Sequence, residues 1–425
     1  MLQNINSSLK KKIFFPALIR FRVALVRFSH WVALKRIRRK NKVKVAFFLI
    51  YESMWKYERL YFQLEEDKRF DPVVFVCPFT TYGKEIMKDE MDKAFESFKA
   101  KGYRVVKTLK SDSTWINIKR DFRPDIVFFT NPWPNTLPQY QILNFLDTLT
   151  CYVHYGFNSA NLNHVYHKMP MFYLTWKVFL ETSFHKKQAE TFSPRRGANT
   201  FVTGYPGIDN LIDKQYQPKA VWKPQESEKK RVIWAPHHTI PGAQRALSYG
   251  TFLDYADVMF EIAQKYGDKI QICFKPHPHL KAKLMDPQVW GKERTEEYYV
   301  RWANLPNGQL NEGEYVDLFL LSDAMIHDSS SFHIEYLFVR KPVMFLAQNN
   351  LINKEFNKLG LDALKKINLG YSVNDIYQFI ERTILGGIDD FETQRNSFTM
   401  GQLMPPNNKL ASTNIYEYIL GQIRY

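Results

Sequence analysis

The stretch "SDAMIHDSSSFHIEYLFVRKPVMFL", residues 322–346, decides the fold. Ala324 to His327 is a short apolar run of the kind a buried parallel strand leaves. An acid and three serines follow, then Phe332, Glu335 and Tyr336 at helical spacing over 330–339, then a second apolar run opened by Pro342. Strand, turn, helix and strand in that order make one unit of a parallel α/β sheet, because parallel neighbours need a crossover. The turn carries more hydroxyls than one helix cap requires. A helix start offers unpaired N–H groups and the positive end of a dipole, so a strand-Ser-Ser-helix turn suits an anion, phosphate above all.

Working outward, the same alternation begins at Val43. It predicts strands over 43–50, 72–77, 103–108, 125–130, 150–155 and 199–204, with helical patterns at 56–66, 84–101 and 176–192. A polar stretch, 213–230, reads as a linker. A second series follows: strands over 231–236, 269–276, 324–327 and 342–346, with helices near 250–266, 294–304, 312–321, 330–339 and 373–384. The last helix, about 412–424, takes Ser412 or Thr413 as its N-cap. The expected organisation is a basic segment 1–41, a Rossmann-like acceptor domain 42–212, the linker 213–230, a second Rossmann-like domain 231–400 and a C-terminal crossing helix 401–425. At 425 residues, two doubly wound α/β domains facing a cleft are the natural partition.

The formal net charge of +16 suggests nucleic acid until it is located. Residues 1–51 hold thirteen Lys and Arg and no acid, which leaves +3 for everything else. The body is nearly neutral, and no nucleic-acid partner is expected. Within 1–41 the apolar run is too short to span a bilayer, because Arg20, Arg22 and Arg27 interrupt it. Phe21, Leu25, Phe28 and Val32 recur at helical spacing, and Arg20, Arg27, Lys35 and Arg38 gather on another side. That is the pattern of a helix lying on an anionic membrane surface. Cys77, Cys151 and Cys273 are dispersed in apolar runs, as buried thiols are, and have no metal-ligand spacing.

Chemistry-bearing residues collect at strand ends. His237, His238 and Thr239 follow one strand, Lys275, His277 and His279 another, and Asp328, Ser329, Ser330 and Ser331 a third. Together they suit a pyrophosphate, with charge from Lys275 and donors from His277 and the serines. Glu335 is placed to accept from ribose hydroxyls. In the first half, His154 and Gly156 end a strand, and a histidine there serves as general base near neutrality. Glu52, just past the first strand, is placed to orient His154 or hold an acceptor. No Asp-x-Asp pair occurs, so no tightly bound metal or other cofactor is expected.

In order, "YVHYGF" (152–157), "VTGYPGIDNL" (202–211), "WAPHHT", "FKPHPHL" and the 322–346 stretch resemble the CDP-glycerol glycerophosphotransferase family of teichoic-acid and capsule polymerases, over roughly residues 120–350. The resemblance implies a GT-B fold and a peripheral enzyme on the cytoplasmic face of the bacterial plasma membrane. It implies transfer of a polyol phosphate from a CDP-activated donor to a polymer or lipid-linked acceptor, with CMP released. Carried over, the family's His-Gly base falls on His154, separated here from Gly156 by Tyr155. Its Asp-Tyr-Ser-Ser motif falls on Asp328 to Ser331 with Ser329 in place of tyrosine, and its second histidine on His277. Two other readings use the same residues: a GT-B glycosyltransferase or sugar-nucleotide epimerase, and a non-catalytic nucleic-acid or membrane-binding protein.

Overall fold

The computed structural model describes residues 2–81, 83–240, 249–348 and 352–424, with side chains from Ala17 onward, so the side chains of Lys10, Lys11 and Lys12 lie outside the described residues. The chain forms two units. One comprises Met1–Gly156, Leu162–Asp209 and Pro405–Tyr425; the other comprises Phe157–Asn161 and Asn210–Met404.

The first unit is a parallel sheet of β1 (Val43–Leu49), β2 (Phe70–Val76), β3 (Val105–Lys107), β4 (Ile126–Phe129), β5 (Leu149–Val153), β6 (Lys177–Leu180) and β7 (Thr200–Val202). Its strand order is β3-β2-β1-β4-β5-β6-β7. Such strands are apolar on both faces, because helices cover both. Val45, Phe47 and Leu49 pack with Tyr57, Leu60 and Tyr61 on one side, while Ala46 and Phe48 pack with Phe145 and Leu174 on the other. The second unit repeats the plan with β8 (Lys230–Ala235), β9 (Ile270–Phe274), β10 (Gly308–Leu310), β11 (Ala324–His327), β12 (Val343–Leu346) and β13 (Asn368–Gly370), ordered β10-β9-β8-β11-β12-β13. In both sheets the order reverses beside the first strand, and the crevice at the strand C-termini there is where such sheets bind ligands.

Four local expectations are corrected. The helical pattern over 176–192 is strand β6 followed by a helix at Ser183–Phe192. The helix expected over 330–339 is a four-residue α turn, Phe332–Glu335, continued by a 3₁₀ turn, Tyr336–Val339. Residues 213–230 are not a free linker: Trp222 is buried and donates its indole N–H to the Leu318 carbonyl, and Tyr216 donates to Asp317. The last helix, Ala411–Ile423, is capped neither by Ser412 nor by Thr413. Buried Asp209 accepts instead from the backbone N–H of Ala411 at 2.8 Å and of Ser412 at 2.9 Å, an acid on the positive end of a helix. Gly204 has φ of +89°, and a Cβ there would stand 2.6 Å from Pro405. The 202–211 motif therefore fastens the returning C-terminal segment to the first unit.

The N-terminal helix, Leu2–Ile37, lies against the first unit through Val26, His30, Ala33 and Ile37, all buried. Arg38 donates twice to the Gln422 carbonyl, at 2.9 and 3.1 Å. Leu18, Phe21, Leu25, Phe28 and Val32 stay exposed, each by 45% or more. No described helix is long and apolar enough to cross a membrane.

Candidate functional site

In the first unit, the C-terminal ends of adjacent strands β5 and β6 deliver His154 and Glu181. The His154 Nδ1 lies 2.7 Å from Glu181 Oε1, and both residues are buried. A carboxylate only accepts, so Nδ1 carries the proton and the lone pair resides on Nε2. That Nε2 is buried and has no hydrogen-bond partner. His185, four residues after Glu181, places its Nδ1 3.7 Å from Oε2 and 3.0 Å from the Thr182 hydroxyl. Burial pushes the Glu181 carboxyl up, but the His154 and His185 imidazoles outweigh it and hold it down at about 2. Phe172 and Tyr152 wall the His154 ring at 5.3 and 5.7 Å.

Glu52 does not orient His154, contrary to expectation. Its carboxylate accepts from the Ser97 hydroxyl at 2.6 Å and the Lys101 ammonium at 2.7 Å, an arrangement its place on a short surface turn makes natural. Gly156 ends the first stretch of the unit and is not among the glycines with positive φ.

In the second unit, the three predicted clusters follow β9, β8 and β11, which are neighbours in that order. His237, His238 and His277 bring ring nitrogens within 4.8 Å of one another, a spacing that a metal ion would accept. The hydrogen bonds point to another use. The His238 Nδ1 accepts from the Lys283 ammonium at 2.6 Å, and the His277 Nδ1 accepts from the backbone N–H of His279 at 3.1 Å. In a neutral ring whose Nδ1 accepts, the proton sits on Nε2. His238 and His277 therefore present N–H groups, which suit an anion, rather than lone pairs, which suit a metal. Burial first, then the neighbouring positive charges, push His237 and His277 well below the usual imidazole range, so both stay neutral at pH 7.

Other expected members have internal partners. Asp328 is a buried strut: one oxygen accepts from the backbone N–H of His237, the other from the Thr251 N–H at 2.6 Å and hydroxyl at 2.9 Å. Burial raises it to about 6 against those donors. It shapes the His237 turn, and both its oxygens are taken. Glu335 is likewise buried, accepting from the Phe157 N–H at 3.1 Å and the Tyr315 hydroxyl at 2.5 Å, so it neither faces ribose nor sits in solvent. Lys275 donates to the Gly313 carbonyl at 2.6 Å and to Asn311 at 3.3 Å. Thr239 lies 3.2 Å from the His237 Nδ1. Ser331 occupies the N-cap position without a side-chain hydrogen bond, and the Ser330 carbonyl accepts from the Ser159 hydroxyl. The three cysteines are buried and free.

Two doubly wound parallel sheets with polar side chains at their strand C-termini define a GT-B-like α/β protein. The chain belongs to the CDP-Glycerol:Poly(glycerophosphate) glycerophosphotransferase family, whose sequence model matches residues 173–421. The match starts and ends later than the resemblance over 120–350: it takes in Glu181, the histidine trio and most of the last helix, and leaves His154 outside. Teichoic acid ribitol-phosphate polymerase TarL of Staphylococcus aureus (strain NCTC 8325 / PS 47) is 27% identical over 167 residues, which is 37% of this chain and 26% of that protein. The chain thus spans about a quarter of that curated relative. Among solved structures, the wall teichoic acid polymerase TagF superposes with a TM-score of 0.56 at 11% identity, covering 100% of this chain and 98% of that one. A UDP-N-acetylglucosamine 2-epimerase gives 0.57 at 17% identity, covering 90% and 96%. The UDP-GlcNAc 2-epimerase of Neisseria meningitidis gives 0.54 at 18%, covering 89% and 100%. These structural likenesses establish the fold.

Proposed function

We propose that the protein transfers a polyol phosphate from a CDP-activated donor to a hydroxyl of a teichoic-acid or capsule-type acceptor, releasing CMP. The observation that carries this reading, in a chain of this family, is the trio of imidazoles, His237, His238 and His277, at the ends of the adjacent strands β8 and β9 of the second unit. His238 and His277 offer N–H donors to the donor diphosphate there, with Lys283 supplying positive charge beside His238 and Lys275 following the same strand, β9, as His277. The acceptor oxygen attacks the β-phosphorus, the bridging P–O bond breaks, and CMP departs with the bond pair. His154 takes the acceptor proton on Nε2. Ser330 and Ser331 lie on the same strand-end turn and lend hydroxyls to the phosphate oxygens. On this reading the site needs no tightly bound metal, because the leaving charge is met by N–H donors and ammonium groups.

The N-terminal helix supports peripheral binding at the cytoplasmic membrane face. Leu18, Phe21, Leu25, Phe28 and Val32 are exposed, with Arg20, Arg22 and Arg27 exposed beside them. Apolar insertion and attraction to anionic lipid add there. The test of the reaction is a donor screen with CDP-glycerol, CDP-ribitol and UDP-sugars. CMP release from a CDP-polyol is expected; release of a nucleoside diphosphate from a sugar donor would replace this reading with glycosyl transfer.

A further inference from the structure

We infer that Glu181 is the positioning residue that makes His154 a base, an inference that rests on the transferase reading above. The pair comes from neighbouring strands: β5 and β6 run parallel with Val153 opposite Phe179, so the residue that follows β5 comes level with Leu180, one position before the carboxylate that follows β6. Their separation of 2.7 Å and their burial exclude water from the link. An imidazole has two tautomers of similar energy in water, and only the one with its proton on Nδ1 leaves Nε2 able to accept. A buried, ionised acceptor at Nδ1 selects that tautomer and afterwards stabilises the imidazolium formed when Nε2 takes the proton.

The titratable groups around the ring favour this assignment. Glu181 stands on β6, His185 on the helix that follows it, Tyr152 on β5, and Tyr166 and His167 on the segment before β6. Glu181 is the acid of this set. His167 is pushed down to about 3, chiefly by burial, so it stays neutral and does not compete for the carboxylate. The second Glu181 oxygen faces His185, whose Nδ1 also meets the Thr182 hydroxyl, and that contact fixes the carboxylate from behind.

The experiment compares full-length wild type, Glu181→Gln, Glu181→Asp and His154→Ala with whichever CDP-polyol the donor screen selects, reading kcat and KM separately. It also records the ¹⁵N spectrum of histidine-labelled protein. Glu181→Gln should lower kcat by about 10²-fold or more with donor KM unchanged, since the amide no longer selects one tautomer. Glu181→Asp should recover part of that loss. The wild-type spectrum should show His154 protonated at Nδ1, and the glutamine variant should show it divided between tautomers. Glu181→Gln with wild-type kcat, alongside an inactive His154→Ala, overturns the positioning role and leaves the transferase reading standing. An active His154→Ala removes the base and the positioning role together.

Discussion

The two units put histidines at the ends of parallel strands and surround them with opposite company. In the first, His154 meets a carboxylate at 2.7 Å. In the second, His238 meets an ammonium at 2.6 Å and His277 a backbone N–H at 3.1 Å. The ring is the same, and the hydrogen bond at Nδ1 decides its use. An acceptor there leaves a lone pair on Nε2 and makes a base; a donor there leaves a proton on Nε2 and makes a ligand for anions. On the proposed reaction, one unit needs the first kind and the other the second.

The largest effect should come from breaking the first kind. His154→Ala is expected to cut turnover by about 10²–10⁴-fold while donor affinity holds, the usual worth of a general base. Titration calorimetry with the CDP-polyol and a CMP-release assay read the two separately; weakened donor binding with normal turnover would reverse the roles assigned to the two units. His277→Ala attacks the second kind. Loss of one hydrogen bond to a charged phosphate, about 1.5–3 kcal/mol, should weaken donor binding by roughly 10- to 100-fold. Chelator should leave wild-type donor affinity where it was, because Nε2–H groups do not hold a metal. A chelator-sensitive affinity restored by zinc would turn the trio into a metal site.

Much of this is legible in the sequence. Short apolar runs bounded by polar turns gave most of both sheets, and the polar clusters after β8, β9 and β11 are on adjacent strands, as read. Glu181 was missed for a definite reason. "KVFL" is only four residues long and runs straight into "ETSFHKKQAETF", so the helical period of the second segment absorbed the strand and hid a carboxylate at a strand end. Lys283 was missed because its partner is set by tertiary packing 45 residues away. Asp328 and Glu335 failed differently: sequence locates a carboxylate on an element and is silent about which backbone N–H groups will claim it. Both turned inward, since a buried turn must satisfy its donors.

Buried histidines without a bonded carboxylate also occur outside the two candidate sites, and they should govern acid stability. Burial is the first cause that lowers His30 to about 3 and His333 to about 4, and it pushes His327 well below the usual range. Below about pH 6.5 the unfolded chain takes up protons that the fold refuses, so stability falls as pH drops, by up to about 1.4 kcal/mol per pH unit for each such ring, until the folded value is reached. Asp209, raised to about 6 by burial, works the other way: its fold prefers the protonated form, so its contribution improves as pH falls from about 6 toward 4. The histidines outnumber it, and the net slope should be acid destabilisation between pH 6.5 and 4. His30 offers the clean check, because its Nε2 has no hydrogen-bond partner to lose. His30→Leu should flatten denaturant-derived stability against pH by about one histidine's share, and an unchanged slope would show that His30 is not held neutral by the fold.

The smallest effect is expected at the serine turn, where the sequence first drew attention. Ser331 sits at the N-cap of a turn of only four α-helical residues and makes no side-chain cap bond, while its carbonyl already accepts from the backbone N–H groups of Ile334 and Glu335. Replacing it with alanine removes no hydrogen bond from the folded protein, so thermal stability should stay within about 0.5 kcal/mol of wild type. Any loss of donor affinity in Ser331→Ala then belongs to the ligand and not to the fold. It should be smaller than the loss in His277→Ala, since a neutral hydroxyl in so short a turn has little helix dipole behind it. A larger loss from the serine than from the histidine would move the centre of the phosphate site to the turn, and the contrast between the two kinds of histidine would no longer explain how the donor is held.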